Sequence, residues 1–371
     1  MTISRTNSLA DGFALALMFV GASAFAQQAA STKPDYTPDG VVHVPAFELP
    51  PSGLMSPEAV ELTLKARAGA PAINPFGGTT IQETRSNIER VMAPNVASAQ
   101  KRYAVDIVPH EIAGVKTRIF TPKAGEADPH RVLINLHGGG FMMCAEGCAM
   151  VESIPIAAVG RYKVVSVDYR EGPENVFPAA SEDVAAVYRE LLKTYRPENI
   201  GIYGCSAGGA LTAQVEAWLQ DKRLPNPGAL GIFGSGAIRF GVGDSPYVSA
   251  YIDGSFPPPQ PRAESAPTGY FKGAKMDDPL VSPAGYPTIL AKFPPTLIIT
   301  GDRAPDLSAA IYTHTELVKA GAKGDLIVGE GMGHCYINLP DLPEARDAYG
   351  IIVKFFNENL GVKRTRSAAR G

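Results

Sequence analysis

The sequence predicts an α/β fold, a mostly parallel sheet with helices on both faces. Three observations predict it. Short apolar runs rich in Val, Ile and Leu recur along most of the chain, each bounded by Gly or charge, as strands covered on both faces read. Helical segments lie between those runs, and such alternation places crossover helices on a parallel sheet. The chain has 371 residues, 45% hydrophobic and 19% charged, which supplies a full core and excludes a disordered chain. The 32 prolines point to long ordered loops rather than a helical bundle.

Residues 1–26 read as a secretory signal peptide. Arg5 gives a positive start, an apolar run extends from Phe13 to Val20, and Ala24-Phe25-Ala26 forms a small-residue cleavage site before Gln27. The run is too short for a spanning helix, which needs about 20 residues. An uncleaved anchor or a buried helix is the competing reading. The expectation is a soluble, exported chain, periplasmic or secreted, with no stable membrane span after cleavage.

Residues 27–102 form an N-terminal arm followed by helices. Positions 27–50 are rich in Pro, Gln and Ala without a period. Positions 56–69 begin with Ser56 as N-cap and Pro57 in the first turn, and end at Gly69. A second amphipathic segment covers 80–93. The catalytic domain is expected over 103–362. It opens with strands at 103–108 and 115–121. Further strands are predicted at Arg131–Leu136, Lys163–Val167, Ile200–Tyr203, Ala229–Phe233, Thr296–Thr300 and Asp325–Val328. Helices are predicted at 181–195, 209–222, 307–320 and 342–360. Residues 241–290, rich in Pro, Gly, Ser and Tyr, read as an irregular excursion, and 363–371 as a frayed basic tail.

Chemistry concentrates in three places. Gly204-Cys205-Ser206-Ala207-Gly208 follows a strand and precedes a helix, the context in which G-x-S-x-G exposes a serine hydroxyl on a strained turn. Glycines at 204 and 208 avoid collisions with neighbouring backbone, and the helix aims its positive end at the reacting oxygen. His137-Gly138-Gly139-Gly140 follows the strand Arg131–Leu136, where consecutive glycines can turn N–H groups inward. The N–H groups of Gly138, Gly139 and Ala207 are the expected oxyanion hole. His137 is expected to brace the loop. His334, in Gly331-Met332-Gly333-His334 after the last strand, is the best-placed base among six histidines.

HGGGF at 137–141, DYR at 168–170, Phe177-Pro178-Ala179-Ala180 with Glu182-Asp183, GCSAGG at 204–209 and EGMGH at 330–334 together resemble the hormone-sensitive-lipase-like branch of the α/β-hydrolases. The resemblance covers about residues 103–360. It implies an eight-stranded, mostly parallel sheet, a cap drawn partly from the N-terminal helices, and carboxylesterase activity on short acyl chains. It also implies that Asp168 and Arg170 are framework residues.

The acid departs from that pattern. The family places an aspartate three residues beyond the glycine that ends the strand, and here that position is Ala304. Asp306, past Pro305 and near the next helix, is the expected acid, with Asp302 as the alternative. A site with neither would leave a catalytically weakened, ligand-binding homologue. An amidase, a lactone hydrolase or an acyltransferase would use the same serine chemistry. Phe141, Met142 and Met143 are candidates for the pocket wall or for ordinary core. Tyr247, Tyr251, Phe256 and Pro257-Pro258-Pro259 are lid candidates.

A net charge of −3 excludes a basic nucleic-acid footprint. No His–carboxylate cluster has ligand spacing, so no metal is expected, and acyl transfer through a serine needs no cofactor. The substrate partner is a small-molecule ester. Export permits disulfides. The four cysteines allow Cys144–Cys148 with Cys205–Cys335, or remain free thiols.

Overall fold

The computed structural model describes residues 33–68, 77–123, 127–259 and 269–361. The signal-peptide reading and the basic tail lie outside these residues. The chain divides into two compact units at Pro50. In the first, β1 (Asp35–Tyr36) pairs antiparallel with β2 (Val42–His43) around a turn closed by the Gly40 N–H on the Thr37 carbonyl.

The second unit begins with α1 (Pro57–Ala68) and α2 (Ile81–Arg102). Thr80 caps α2 in a capping box, its hydroxyl accepting the Glu83 N–H. The helix runs past Pro94, beyond the end expected at 93. The strands and helices then alternate: β3 (Val105–Ile112), β4 (Val115–Pro122), β5 (Val132–Leu136), α3 (Gly147–Gly160), β6 (Lys163–Val167), α4 (Ala179–Leu191), β7 (Ile200–Cys205), α5 (Ala207–Asp221) and β8 (Ala229–Phe233). After α6 (Ser245–Ile252) and the short α7 (Pro287–Leu290) come β9 (Thr296–Gly301), α8 (Leu307–Lys319), β10 (Gly324–Gly329) and α9 (Pro343–Asn359).

The eight strands of the main sheet lie in the order β10-β9-β8-β7-β5-β6-β4-β3. β4 is antiparallel to both of its neighbours, and all other pairs are parallel. The core strands divide their side chains between two faces by the period of two that a strand imposes. Ile134, Val165, Ile202, Ile232 and Ile298 join the core with α4, α5 and α8. Leu133, Val164, Tyr203, Phe233, Leu297 and Ile299 join the core with α3 and α9. β10 departs from the expected double cover, being only half-buried at the sheet's edge.

α3 is absent from the elements read in the sequence. Its residues from Gly147 to Ala157 are all buried. A helix apolar on every side has no amphipathic period to reveal it. It is held between α2 and α9.

Register places the functional loops. Leu136 at the end of β5 pairs with Gly204 of β7, so residues 137–140 and 205–208 leave the sheet side by side. The approach there is close. A Cβ added at Gly208 would lie 1.7 Å from the Leu136 carbonyl oxygen, and one at Gly204 would lie 2.1 Å from it. Gly208→Ala is therefore expected to push α5 off β5. The check is a thermal melt: helix propensity alone would raise Tm by a few degrees, about 1 kcal/mol in favour of alanine, and the backbone clash should turn that gain into a clear loss.

Candidate active site

Ser206 sits at the bend between β7 and α5 with φ 58° and ψ −121°. Positive φ is uncommon for a side-chain-bearing residue and marks strain worth about 1–3 kcal/mol. The surroundings hold it: the Ser206 N–H donates to the Phe233 carbonyl at 2.8 Å, and the flanking glycines press against β5. Its hydroxyl faces a cavity of about 640 Å³.

His334 Nε2 lies 2.9 Å from Ser206 Oγ, and His334 Nδ1 lies 2.6 Å from Asp306 Oδ1. With Nδ1–H donating to the carboxylate, Nε2 accepts the serine hydroxyl. Asp306 is fully buried, and the Thr300 hydroxyl donates to its other oxygen at 2.5 Å. The structure thus brings Ser206, His334 and Asp306 into one line. Asp302 is placed elsewhere. Its Oδ1 accepts the Gly331 N–H at 2.7 Å, and burial pushes its pKa up. It staples the loop that carries His334 and does not reach the imidazole. Ala304, where an aspartate was expected, is buried within the turn between the two acids.

The glycine run corrects one expectation. The Gly138 N–H donates to Glu152 Oε1 at 2.9 Å inside the protein, so it is not free to meet a substrate oxygen. The N–H groups of Gly139, Gly140 and Ala207 have no acceptor among the described residues, and all three residues line the cavity. Gly139 has φ +110°, and a Cβ there would lie 1.8 Å from the Met143 carbonyl oxygen.

His137 braces this loop. Its ring stacks on Tyr169 with centroids 4.2 Å apart, its Nδ1 donates to the Gly138 carbonyl, and its own carbonyl accepts the Tyr169 hydroxyl at 2.7 Å. Burial pushes its pKa down to about 4, so it stays neutral where Ser206 and His334 would work. Arg170 bonds Asp183 and Glu182, away from the serine.

The cavity wall is mainly apolar. Phe141, Met142 and Met143 all border it, as do Ile88 of α2, Phe240 and Met276. Phe240 and Phe256 present ring edges to His334, at centroid distances of 5.8 and 5.2 Å. Of the lid candidates, Tyr247 and Tyr251 are exposed and do not line the cavity. Arg85 of α2 donates to the Met142 carbonyl and pairs with Glu174, which clips that helix to the cavity rim. α1 instead packs against α9, through the Ser56 hydroxyl on Glu344.

The four cysteines are paired, Cys144 with Cys148 and Cys205 with Cys335. The free-thiol alternative is thereby set aside. The second bridge joins the residue before Ser206 to the residue after His334. Among the described residues, no cluster of His, Cys, Asp and Glu could hold a metal ion, and no helix is long and apolar enough to cross a membrane.

A family model described as an α/β-hydrolase fold matches residues 133–338. The versiconal hemiacetal acetate esterase of Dothistroma septosporum is 27% identical over 305 residues, 76% of this chain and 89% of that protein. A putative acetyl-hydrolase, LipR, of Mycobacterium tuberculosis is 37% identical over 124 residues, 33% of this chain and 39% of that protein. Among solved structures, esterase E25 superimposes with a TM-score of 0.71 at 29% identity, covering 86% of this chain and 98% of that one. An esterase from the bacterial hormone-sensitive lipase family gives 0.70 at 27%, covering 82% and 99%.

The two aspartates separate by substitution. Asp306→Asn is expected to lower ester turnover by about 10⁴, since the imidazole loses the partner that sets its tautomer. Asp302→Asn should cost far less, because its contacts, with the Gly331 N–H, Glu330 and Arg303, do not include the imidazole. Steady-state kinetics of both variants on one ester check this. Equal losses would break the assignment.

Proposed function

The chain belongs to the α/β-hydrolase fold family, and from that premise we propose that it is a serine esterase that cleaves short-chain carboxylic esters through an acyl-enzyme on Ser206. Its relatives are named as esterases and as a putative acetyl-hydrolase, and this chain is a carboxylesterase-type hydrolase. The mechanism is our reading of its side chains. His334 takes the hydroxyl proton as Ser206 Oγ attacks the ester carbonyl, and Asp306 stabilises the imidazolium that forms. The carbonyl oxygen, now anionic, turns to the N–H groups of Gly139, Gly140 and Ala207. The tetrahedral intermediate expels the alcohol, which takes the proton from His334 Nε2. Water then adds to the acyl carbon by the same route and frees the acid and the serine.

The observation that carries this reading is the unbroken line from Asp306 through His334 to Ser206. It removes the reason that Ala304 had given for a weakened binding protein. The relatives named for acetate and acetyl groups support a small acyl group. A cavity of about 640 Å³ then has room for a bulky apolar alcohol. We further propose export, supported by the N-terminal pattern and by the use of all four cysteines in bridges, which suits an oxidising compartment.

On the purified protein, short-chain p-nitrophenyl esters should be hydrolysed and a fluorophosphonate should label Ser206. Ser206→Ala should abolish both while the protein stays folded by circular dichroism. Full turnover in that variant would sink the proposal. In an exporting bacterial host, mass spectrometry of the extracytoplasmic protein should find an N-terminus at Gln27. A chain that starts at Met1 there would count against cleavage.

A further inference from the structure

Glu152, on the buried helix α3, has no part in the proton transfers above, yet it touches both halves of the site. Its side chain is 4% exposed. Oε1 accepts the Gly138 N–H at 2.9 Å. Oε2 accepts the Asn135 side-chain amide at 2.9 Å and lies 3.4 Å from the Cys205 N–H. Asn135 is itself held by the Ser166 hydroxyl, which donates to its amide oxygen at 2.7 Å. The Glu152 carbonyl accepts the buried Tyr203 hydroxyl at 3.1 Å. One residue of α3 is thus tied to the end of β5, to the glycine run and to the last residue of β7.

The geometry matters because Gly138 stands directly against the serine bend. A Cβ added at Gly138 would lie 3.2 Å from the Cys205 carbonyl and 3.5 Å from Ser206 Cβ. Rotation of the Gly138–Gly139 peptide would swing the two N–H groups that follow. Glycine has no side chain to oppose such rotation. His137 Nδ1 holds the carbonyl of that peptide, and Glu152 holds the N–H of the peptide before it, so Gly138 is gripped on both sides.

We propose that Glu152 is a positioning residue of the oxyanion site: by gripping the Gly138 N–H on one carboxylate oxygen and the Cys205 N–H with Asn135 on the other, it sets the glycine run against the serine bend so that the free donors face the reacting carbonyl. The chemistry at the grip is all donor toward acceptor. Four N–H or O–H groups point at Glu152, and none of the described contacts asks its carboxyl to donate. Burial pushes its pKa up to about 8, while the three donors to the carboxylate pull the other way. Burying this acceptor costs more than an apolar side chain would, and every partner that offsets the cost lies in the frame of the site.

The proposal rests on the serine mechanism above, and Ser206→Ala tests that mechanism separately. The test here is Glu152→Gln, which keeps size but turns an amide N–H toward the Cys205 and Asn135 donors. Turnover is read per active site, counted by fluorophosphonate labelling. The expected result is a fall in kcat of about tenfold to hundredfold, a fraction of the loss on removing an oxyanion donor outright, with KM within about twofold. Affinity for a boronic acid or trifluoromethyl ketone, which binds as a tetrahedral adduct, should fall in step with kcat/KM. Glu152→Asp, which keeps both oxygens on a shorter arm, should recover part of the loss. A variant that melts earlier but turns over as wild type per labelled site would overturn the proposal and leave the serine mechanism standing. Should the variants not fold, hydrogen exchange on the wild type decides. The Gly138 amide should be strongly protected and the Gly139 and Gly140 amides should exchange quickly. Equal rates at all three would overturn it.

Discussion

The bend at Ser206 governs the rest of the molecule. A backbone at φ 58° with a side chain attached is not a conformation that local preference selects. It persists because β5, β7 and β8 converge on it. The Leu136 carbonyl fills the space where side chains at 204 and 208 would stand, and the Phe233 carbonyl holds the Ser206 N–H. The same pairing of Leu136 with Gly204 delivers the glycine run to the serine's flank. A single register along two central strands therefore sets the hydroxyl and the backbone donors together. A slip by one residue would separate them and also exchange the two faces of the core.

The two faces explain how much of this was legible. Short buried strands rich in Val, Ile and Leu stood out at 131–136, 163–167, 200–203, 229–233 and 296–300, because helices cover them on both sides. Ser206 and His334 were legible for a related reason, since glycines crowd where backbone must pass close to backbone. α3 was not legible. Its sides are all buried, so it carries no periodic stripe, and Glu152 was hidden with it. The acid was legible only as a choice. Asp302 and Asp306 flank the same turn in sequence, and only the path of the chain shows that one meets the imidazole while the other meets a backbone N–H. The donor at Gly138 was misread because sequence shows which N–H groups are near a serine but not which are already engaged.

The cavity wall has a consistent chemistry beside this rigid frame. Three methionines, Met142, Met143 and Met276, lie along it with Ile88 and Phe256. Unbranched thioethers adjust to the shape of a ligand, while Phe141, Phe240, Phe256 and Phe271 give the rest of the wall a stiffer apolar surface. The polar groups that move charge are confined to the line of Asp306, His334 and Ser206 and to the backbone donors. In that division of labour the reacting carbonyl meets fixed polar groups, and the remainder of the ester meets an apolar wall that yields at its methionines.

The bridge between Cys205 and Cys335 has a consequence for how the site meets its surroundings. Cys205 is fully buried, and Cys335 lines the cavity. A small thiol or phosphine that enters the cavity reaches the bridge along the route that an ester travels. An occupied cavity thus shields the covalent tie behind it, and the empty enzyme is the form open to reductive attack.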